Sequence, residues 1–298
     1  MESSGLTSPA RILAPGPGAQ RRKVVNRSME VICTIAAVLA VAVLLLVIIS
    51  VLIKGAPALN IDFLTKNPVP FGQKGGGLAN AFVGSAILVG LATLISVPIA
   101  ILVAIFTSEF ASPRVATVIR FCLDILNGIP TIIIGVFIFG VLVIGGTQSG
   151  WAGAIALAIV ELPIVARSAQ EVLDLVPGSL REAALALGLK RWRVVLRIVL
   201  PTAAGGLITG AVLGVARVAG ETAPLLFTSS IFSNFGLTTN PSQAMPNIPV
   251  TIFTLSESPS PQDHAEAWAA ALVLILFVLL LSVIARTFHE RSRSKLRS

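Results

Sequence analysis

Apolar residues occur in six long runs that are separated by polar or glycine-rich segments. The runs cover approximately residues 31–53, 81–106, 121–144, 151–167, 202–227 and 267–284. Each is long enough, at roughly 17 residues or more, for an α-helix to cross the hydrocarbon core of a bilayer. The pattern therefore predicts an all-α integral membrane protein with six transmembrane helices.

Two of these runs contain residues that disturb a helix. Pro98 predicts a kink in the second span, and Asn127-Gly128-Ile129-Pro130 predicts a local break in the third. Proline has no amide hydrogen and its ring clashes with the preceding turn, so it bends or ends a helix.

The polar ends of the chain predict its organisation. Residues 1–28 are rich in glycine and proline and carry five cations, which indicates a disordered basic tail. Residues 29–287 are predicted to form the transmembrane domain, and residues 288–298 a second basic tail. A cleaved signal peptide is the alternative for the first apolar run, but signal cores have only about 7–15 apolar residues.

Composition supports the membrane class. The chain of 298 residues is 55% hydrophobic and 12% charged, whereas soluble domains are about 25% charged. Its net charge of +8 comes from cations beside the apolar runs, without interleaved aromatic residues, which argues against a nucleic-acid partner. The sequence contains no phosphate-binding loop, paired Cys/His ligands or nucleophile elbow. We therefore expect no catalytic residue, no metal and no cofactor on this chain, which is not predicted to be an enzyme by itself.

The distribution of cations predicts the orientation. With the N-terminus inside, 18 of the 22 Lys and Arg residues fall in inner segments. Positive charge is enriched on the cytoplasmic side of membrane proteins. Both termini are therefore predicted to be cytoplasmic.

The longest inner segment contains the stretch from Arg181 to Pro201, REAALALGLKRWRVVLRIVLP. It predicts a helix rich in Ala and Leu, a turn at Gly188, and a second, cationic helix that enters the membrane. Small side chains leave a flat helix surface that can lie in the groove of a partner. A basic helix lying on anionic lipid is the alternative interpretation.

The spacing of Glu182-Ala183-Ala184, Gly188 and Leu200-Pro201 resembles the EAA loop of ABC importer permeases. That resemblance implies that residues 168–201 form a coupling loop that docks on a separate ATPase. The continuation GLITGAVLGVARVAGETAPLLFT, from Gly206 to Thr228, resembles the PstA family of phosphate permeases.

The family resemblance implies a MetI-like, type I ABC importer permease fold in the plasma membrane and inorganic phosphate as the substrate. It also implies four kinds of partner: membrane lipid, a second permease (PstC), two copies of an ATPase (PstB) that binds ATP and magnesium, and a phosphate-binding protein (PstS). Residues 228–266, the longest outer segment, are the expected docking surface for the binding protein.

Four ionisable residues within the spans are candidates for the substrate pathway: Glu161, Arg167, Arg217 and Glu221. A charge at bilayer depth costs about 2.5–3.5 kcal/mol on insertion scales, so each is expected to face protein or water. Arg217 and Glu221 are four residues apart and are predicted to pair on one helical face. Our interpretation is that Arg217, with Arg167, stabilises the passing anion while Glu221 moderates its charge.

Structural ion pairs are the alternative for these residues, and for Glu161 and Arg167 both interpretations stay open. Asp124, near a span boundary, is interpreted as a solvated or capping residue. Gly206, Gly210 and Gly214 lie four residues apart and predict close contact with another helix. We expect this contact with the second permease, the alternative being packing inside this subunit.

Two further functions remain open from the sequence. One is an importer for another oxyanion such as sulfate or molybdate. The other is a sensory membrane subunit that signals phosphate supply.

Overall fold

The computed structural model describes residues 19–69, 75–229 and 236–295, and all regular elements in these ranges are helical. The α-helices are α1 (Ala19–Gly55), α2 (Ile61–Thr65), α3 (Ala79–Ile105), α4 (Pro113–Gly128), α5 (Thr131–Ile138), α6 (Gly150–Asp174), α7 (Gly178–Ala186), α8 (Arg191–Val194), α9 (Leu200–Val218), α10 (Ala223–Thr228), α11 (Ile248–Ser256) and α12 (Pro261–Lys295). Three π-helical segments adjoin them in these ranges, Phe106–Phe110 after α3, Phe139–Val143 after α5 and Val195–Val199 between α8 and α9.

Five helical stretches in the described residues are long and apolar enough to cross a bilayer. They are Arg21–Ala58, Ala79–Phe110, Gly150–Asp174, Arg191–Val218 and Pro261–Ile284. A sixth candidate combines Pro113–Gly128 with Thr131–Val143, two helices that are bent by 92° relative to each other. The prediction of an all-α membrane protein is therefore confirmed, with five spans or, if the bent pair counts as one, six.

The bend between α4 and α5 lies at the predicted break. α4 ends at Gly128, and Ile129 and Pro130 have extended backbone with ψ of 128° and 129°. Proline disfavours the helical conformation at the residue before it and cannot donate a backbone hydrogen bond. The break is confirmed, and at nearly a right angle it makes a corner in the chain.

The fifth span ends earlier than predicted, at Val218 instead of Phe227. Tight backbone hydrogen bonds follow the helix, from Gly220 N to Arg217 O at 3.3 Å and from Glu221 N to Val218 O at 3.1 Å. Pro224 then lies in the first turn of α10. Its ring would clash with the carbonyl four residues earlier in a continuous helix, so the helix stops and restarts.

The chain divides into two compact units, residues 1–52 and 53–298. In the first unit residues 19–28 are helical, so the prediction of a disordered tail is wrong for them, and residues 1–18 lie outside the described residues. In the second unit α12 continues to Lys295, so most of the predicted tail 288–298 is also helical, and its last three residues are outside the described ranges. A helix that already exists is extended at little cost, especially by Arg and Lys.

The second unit is built around the contact of α3, α6 and α9. Leu88 of α3, Leu157 of α6 and Val218 of α9 belong to one buried apolar cluster, together with Leu225 of α10 and Met245. Lipid tails are as apolar as these side chains, so close van der Waals packing stabilises the contact more than removal from water does.

The glycine stripe of α9 faces α6 of the same chain. A Cβ atom would lie 2.5 Å from Val172 Cγ1 if placed on Gly206, 2.4 Å from Ser168 Oγ on Gly210, and 2.5 Å from Val165 Cγ2 on Gly214. All three contacts are to α6. The predicted contact of these glycines with a second permease is therefore wrong, because this face is already filled within the subunit.

We predict that Gly206→Ala lowers the thermal stability of the detergent-purified protein. Val172 is β-branched and holds one preferred rotamer in a helix, so it cannot move aside from the added methyl group. Overpacking of this kind costs about 1–3 kcal/mol.

The matched control for this variant is Gly90→Ala in α3, where an added Cβ has no other atom within 4 Å. The melting temperatures of the two variants are measured side by side, and that of Gly206→Ala should be the lower one. Equal values would show that α6 and α9 are not in close contact at Gly206.

Candidate functional site

A cavity of about 270 Å³ lies at the corner between α4 and α5. Its wall consists mainly of apolar residues from the corner and from α6. It also carries two charged residues, one in the last turn of α9 and one just after that helix. The lining residues are Leu126, Asn127, Ile129, Pro130, Thr131, Ile134, Val160, Ile164, Arg217 and Glu221. Water occupies about 30 Å³ per molecule in the liquid, so the cavity has room for a small, partly hydrated ion.

Arg217 and Glu221 are the charged groups of this cavity. The Nη2 of Arg217 lies 4.0 Å from Oε1 of Glu221, which is an ion pair but longer than a hydrogen bond. The Arg217 side chain is 60% exposed and that of Glu221 17% exposed. The two residues pair as predicted, but not on one helical face, because α9 ends between them.

The guanidinium of Arg217 forms no side-chain hydrogen bond with the described residues, so its donors are directed into the cavity space or away from the protein. Asn127 and Thr131 add an amide and a hydroxyl to the same wall. An arginine with several fixed donors and a permanent charge is suited to bind a tetrahedral oxyanion.

Arg167 is not brought into the cavity lining. Its Nη2 lies 3.1 Å from Oδ1 of Asp124, and both side chains are about half exposed. Asp124 therefore links α4 to α6 and is not simply solvated or capping, as the sequence suggested. The interpretation of Arg167 as a pathway residue stays a prediction without support from the cavity.

Glu161 is fully buried between α6 and α3. Ser96 Oγ donates a hydrogen bond to Glu161 Oε2 at 2.7 Å, and Thr93 Oγ1 donates to Oε1 at 3.3 Å. Gly214 leaves the space that the carboxylate occupies, since a Cβ there would lie 3.4 Å from Oε1. Glu161 is therefore a contact between helices and does not line the cavity.

The sequence gives little indication of the partners of Glu161. Thr93 and Ser96 are hydroxyl residues three apart in an apolar span, which places both on one helical face. That spacing is the only local signal, and it does not identify a carboxylate 65 residues further along the chain.

The segment that resembles the EAA loop has the predicted shape. α7 contains Glu182, Ala183 and Ala184, and Gly188 follows it with a φ of +79°. The helix end is a Schellman motif, in which Leu189 N donates to Ala184 O at 3.3 Å and Gly188 N to Leu185 O at 2.9 Å. The left-handed conformation at Gly188 is one that glycine adopts without strain.

Only part of this segment is exposed. Glu182 and Ala183 face outward, whereas Ala184 is buried in a cluster with Leu173 and Val194. Ala184 thus belongs to the interior and not to a flat outer surface. Leu200 and Pro201 lie where the π-helical segment Val195–Val199 continues into α9, and the proline lacks the amide hydrogen that would bond to this preceding turn.

Comparisons with known proteins agree with this architecture. A sequence model of the family described as "Binding-protein-dependent transport system inner membrane component" matches residues 96–298. The chain therefore belongs to this family of inner membrane transport components.

Within the family, several relatives are named as phosphate transport permeases. The "Phosphate transport system permease protein PstA" of Pasteurella multocida is 41% identical over 275 residues, which is 91% of this chain and 96% of the relative. The protein of the same name from Haemophilus influenzae is 40% identical over 274 residues, with the same coverage. The "Probable phosphate transport system permease protein PstA" of Methanocaldococcus jannaschii is 38% identical over 253 residues, 83% of this chain and 88% of the relative.

Solved structures share the fold at low identity. A bacterial alginate ABC transporter in complex with its alginate-bound periplasmic protein contains a chain with a TM-score of 0.63 and 16% identity, covering 90% of this chain and 96% of that one. The inward-facing MetNI methionine ABC transporter gives a TM-score of 0.57 at 17% identity, covering 72% and 95%. The expected ABC importer permease fold is thereby confirmed.

We predict that Glu161→Ala destabilises the subunit by about 2–4 kcal/mol. The change leaves the buried Ser96 hydroxyl without its acceptor and opens a cavity beside Gly214. Thermal unfolding of the purified protein measures the loss.

Asp124→Ala is the comparison variant, because it also removes a carboxylate that joins α6 to a neighbouring helix, here α4. Its ion pair is half exposed, and such pairs contribute about 1 kcal/mol or less. A larger loss of stability for Asp124→Ala than for Glu161→Ala would contradict this ranking.

Proposed function

We propose that this chain is a permease subunit of an ATP-driven importer for inorganic phosphate. Relatives named phosphate transport permeases are about 40% identical over nine tenths of the chain. The subunit is a multi-pass protein of the inner membrane and belongs to a family of transport components, not of enzymes. The ATP and magnesium of the transport cycle would bind to a partner ATPase.

The observation that carries the substrate assignment is the exposed Arg217 in the wall of the cavity at the α4–α5 corner. A phosphate that loses part of its hydration shell needs compensating donors, and a guanidinium supplies them in a fixed fork. The 4.0 Å separation from Glu221 leaves those donors available while the carboxylate still weakens the positive potential. Weak binding of this kind allows the ion to leave again, as conduction requires.

The assembly that fits this subunit contains a second permease of the PstC kind, a PstB-type ATPase dimer and a PstS-type phosphate-binding protein. Solved ABC transporters with the same fold include one with its periplasmic protein bound. The distribution of cations favours cytoplasmic termini, which places α7 on the side of the ATPase. The exposed Glu182 and Ala183 are then the surface that docks on the ATPase.

We predict that Arg217→Ala lowers phosphate uptake at least tenfold in proteoliposomes that contain the complete complex. The variant removes the guanidinium donors from the cavity wall, while the buried contacts of α9 remain. Uptake of radiolabelled phosphate is measured with sulfate as the competitor, and complex assembly and ATPase activity are measured in the same preparations.

The control for Arg217→Ala is Arg114→Ala, which removes an exposed arginine at the start of α4, outside the cavity. Uptake that survives Arg217→Ala would make the Arg217–Glu221 pair structural. Competition by sulfate at equal concentration would favour a broader oxyanion importer. Unchanged uptake with altered phosphate signalling would favour a sensory subunit.

We further predict that Gly188→Val uncouples ATP hydrolysis from transport. A β-branched residue at φ +79° costs about 1–2 kcal/mol or more and shifts the end of α7. Nothing lies within 4 Å of an added Cβ at Gly188, so the effect comes from the backbone and not from a clash.

Gly178→Ala is the matched control for Gly188→Val, since Gly178 also has open space around it and its φ lies outside the left-handed region. The number of ATP molecules hydrolysed per phosphate imported should rise at least threefold for Gly188→Val and stay unchanged for Gly178→Ala. An unchanged ratio for both variants would remove the coupling role from this turn.

A further inference from the structure

Arg181, the residue before Glu182, extends its side chain into the protein instead of toward a docking partner. Its Nε and Nη2 donate to Glu109 Oε1 at 2.9 and 2.7 Å. Its Nη2 also donates to Leu173 O at 2.9 Å, and its Nη1 to Val176 O at 2.5 Å. The guanidinium is thus held by four hydrogen bonds to three residues.

The position of this contact is unusual for an ion pair of the cytoplasmic side. Glu109 is only 6% exposed and Arg181 23% exposed. Buried charges are costly unless they are paired and hydrogen-bonded, and Arg181 meets this cost with the ion pair and its four hydrogen bonds. Leu173 lies in the last turn of α6 and Val176 two residues after that helix ends, and backbone carbonyls at a helix C-terminus attract a cation.

Three elements meet at Arg181. Arg181 itself belongs to α7, and Glu109 belongs to the π-helical segment after α3. The two carbonyls belong to Leu173 in the last turn of α6 and to Val176 just after that helix. Gln170 of α6 reinforces the junction by donating to Thr107 Oγ1 of the π-helical segment at 2.7 Å. We call the contact of Arg181 with Glu109, Leu173 and Val176 the α7 clamp.

The α7 clamp is connected to the cavity through α6. Val160 and Ile164 of that helix line the cavity, and Glu161 between them is held to Ser96 of α3. The hydrogen bond between Ser96 and Glu161 joins α3 and α6 at a second point. A displacement of α7 that is transmitted to the ends of these two helices therefore moves them together. Such contiguous polar and packed contacts are what carry mechanical coupling between sites.

We propose that Arg181 is a positioning residue that transmits the movement of α7 to α3 and α6 during transport. This inference rests on the proposed function, since it assumes that α7 is moved by an ATPase. Glu182 and Ala183 contact the partner in this mechanism, whereas Arg181 holds the same helix turn to the transmembrane helices.

The test compares Arg181→Gln with Arg120→Gln in the complete complex, reconstituted in proteoliposomes. Arg120, like Arg181, is paired with a carboxylate: its Nη2 lies 3.5 Å from Oδ2 of Asp174, the last residue of α6. The side chains of this pair are 40% and 55% exposed. Three quantities are measured: basal ATPase activity, ATPase activity stimulated by the phosphate-loaded binding protein, and phosphate uptake.

We expect Arg181→Gln to assemble and to keep basal ATPase activity within twofold of wild type, because Glu182 and Ala183 are unchanged. Stimulation by the binding protein and phosphate uptake should each fall at least fivefold. Arg120→Gln should stay within twofold of wild type in all three quantities. Normal stimulation in Arg181→Gln would overturn the proposal, and so would a parallel loss of basal ATPase activity and uptake in a complex that still assembles.

Arg181→Lys provides a second variant that keeps the charge beside Glu109 but cannot reach all three partners. If Arg181→Gln does not assemble, the lysine variant decides the question. Stimulation reduced at least threefold with basal ATPase activity retained supports the α7 clamp, and full wild-type stimulation overturns it. A wild-type complex that fails to import phosphate would instead refute the proposed substrate before any variant is compared.

Discussion

The hydrocarbon core of a bilayer contains no water, so backbone polar groups there must be satisfied within helices or by neighbouring protein. In this chain the constraint explains where irregular backbone occurs. The corner at Ile129–Pro130 interrupts the bent pair of helices, and the turn that contains Glu221 follows the end of the Arg191–Val218 span. Residues of both line the same cavity. Non-helical backbone at membrane depth is tolerated where it is buried or lines a polar space. The breaks in the helices and the cavity are therefore one structural feature.

The sequence predicted this feature only in part. Hydrophobic runs located the spans, Pro130 located the corner, and the glycine at position 188 located the turn after α7, because each depends on local backbone chemistry. The angle of the corner and the early end of α9 depend on which helices pack beside them. Glu161 with Ser96 and Arg181 with Glu109 are 65 and 72 residues apart in the chain, so no local spacing identifies them as partners. The glycine stripe likewise indicates close packing but not which helix fills the contact.

Charged residues in the spans and at their ends differ in how completely they are satisfied. Glu161 accepts hydrogen bonds from two hydroxyl groups, and Arg181 donates four hydrogen bonds to a carboxylate and two carbonyls. Arg167 and Asp124 share a half-exposed ion pair. Arg217 differs from these because its counter-ion lies at 4.0 Å and the described residues offer its donors no hydrogen bond. Residue type alone does not distinguish these charges from one another, whereas the completeness of their hydrogen bonding does.

The exposure of Arg217 also limits what can lie beside it in the membrane. A charge that faced lipid at bilayer depth would cost about 2.5–3.5 kcal/mol on insertion scales, and the ion pair with Glu221 at 4.0 Å leaves the hydrogen-bond donors of Arg217 unsatisfied by the described residues. The glycine face of α9 is occupied by α6 and cannot supply the missing surface. Exposed apolar side chains of α4 and α5, such as Ile125, Ile133 and Phe137, are suited to pack against lipid or against another protein. In the proposed transporter the cavity would form one side of the pathway and a second protein surface the other, so the strength of anion binding would depend on Arg217, Glu221 and the polar groups of that surface.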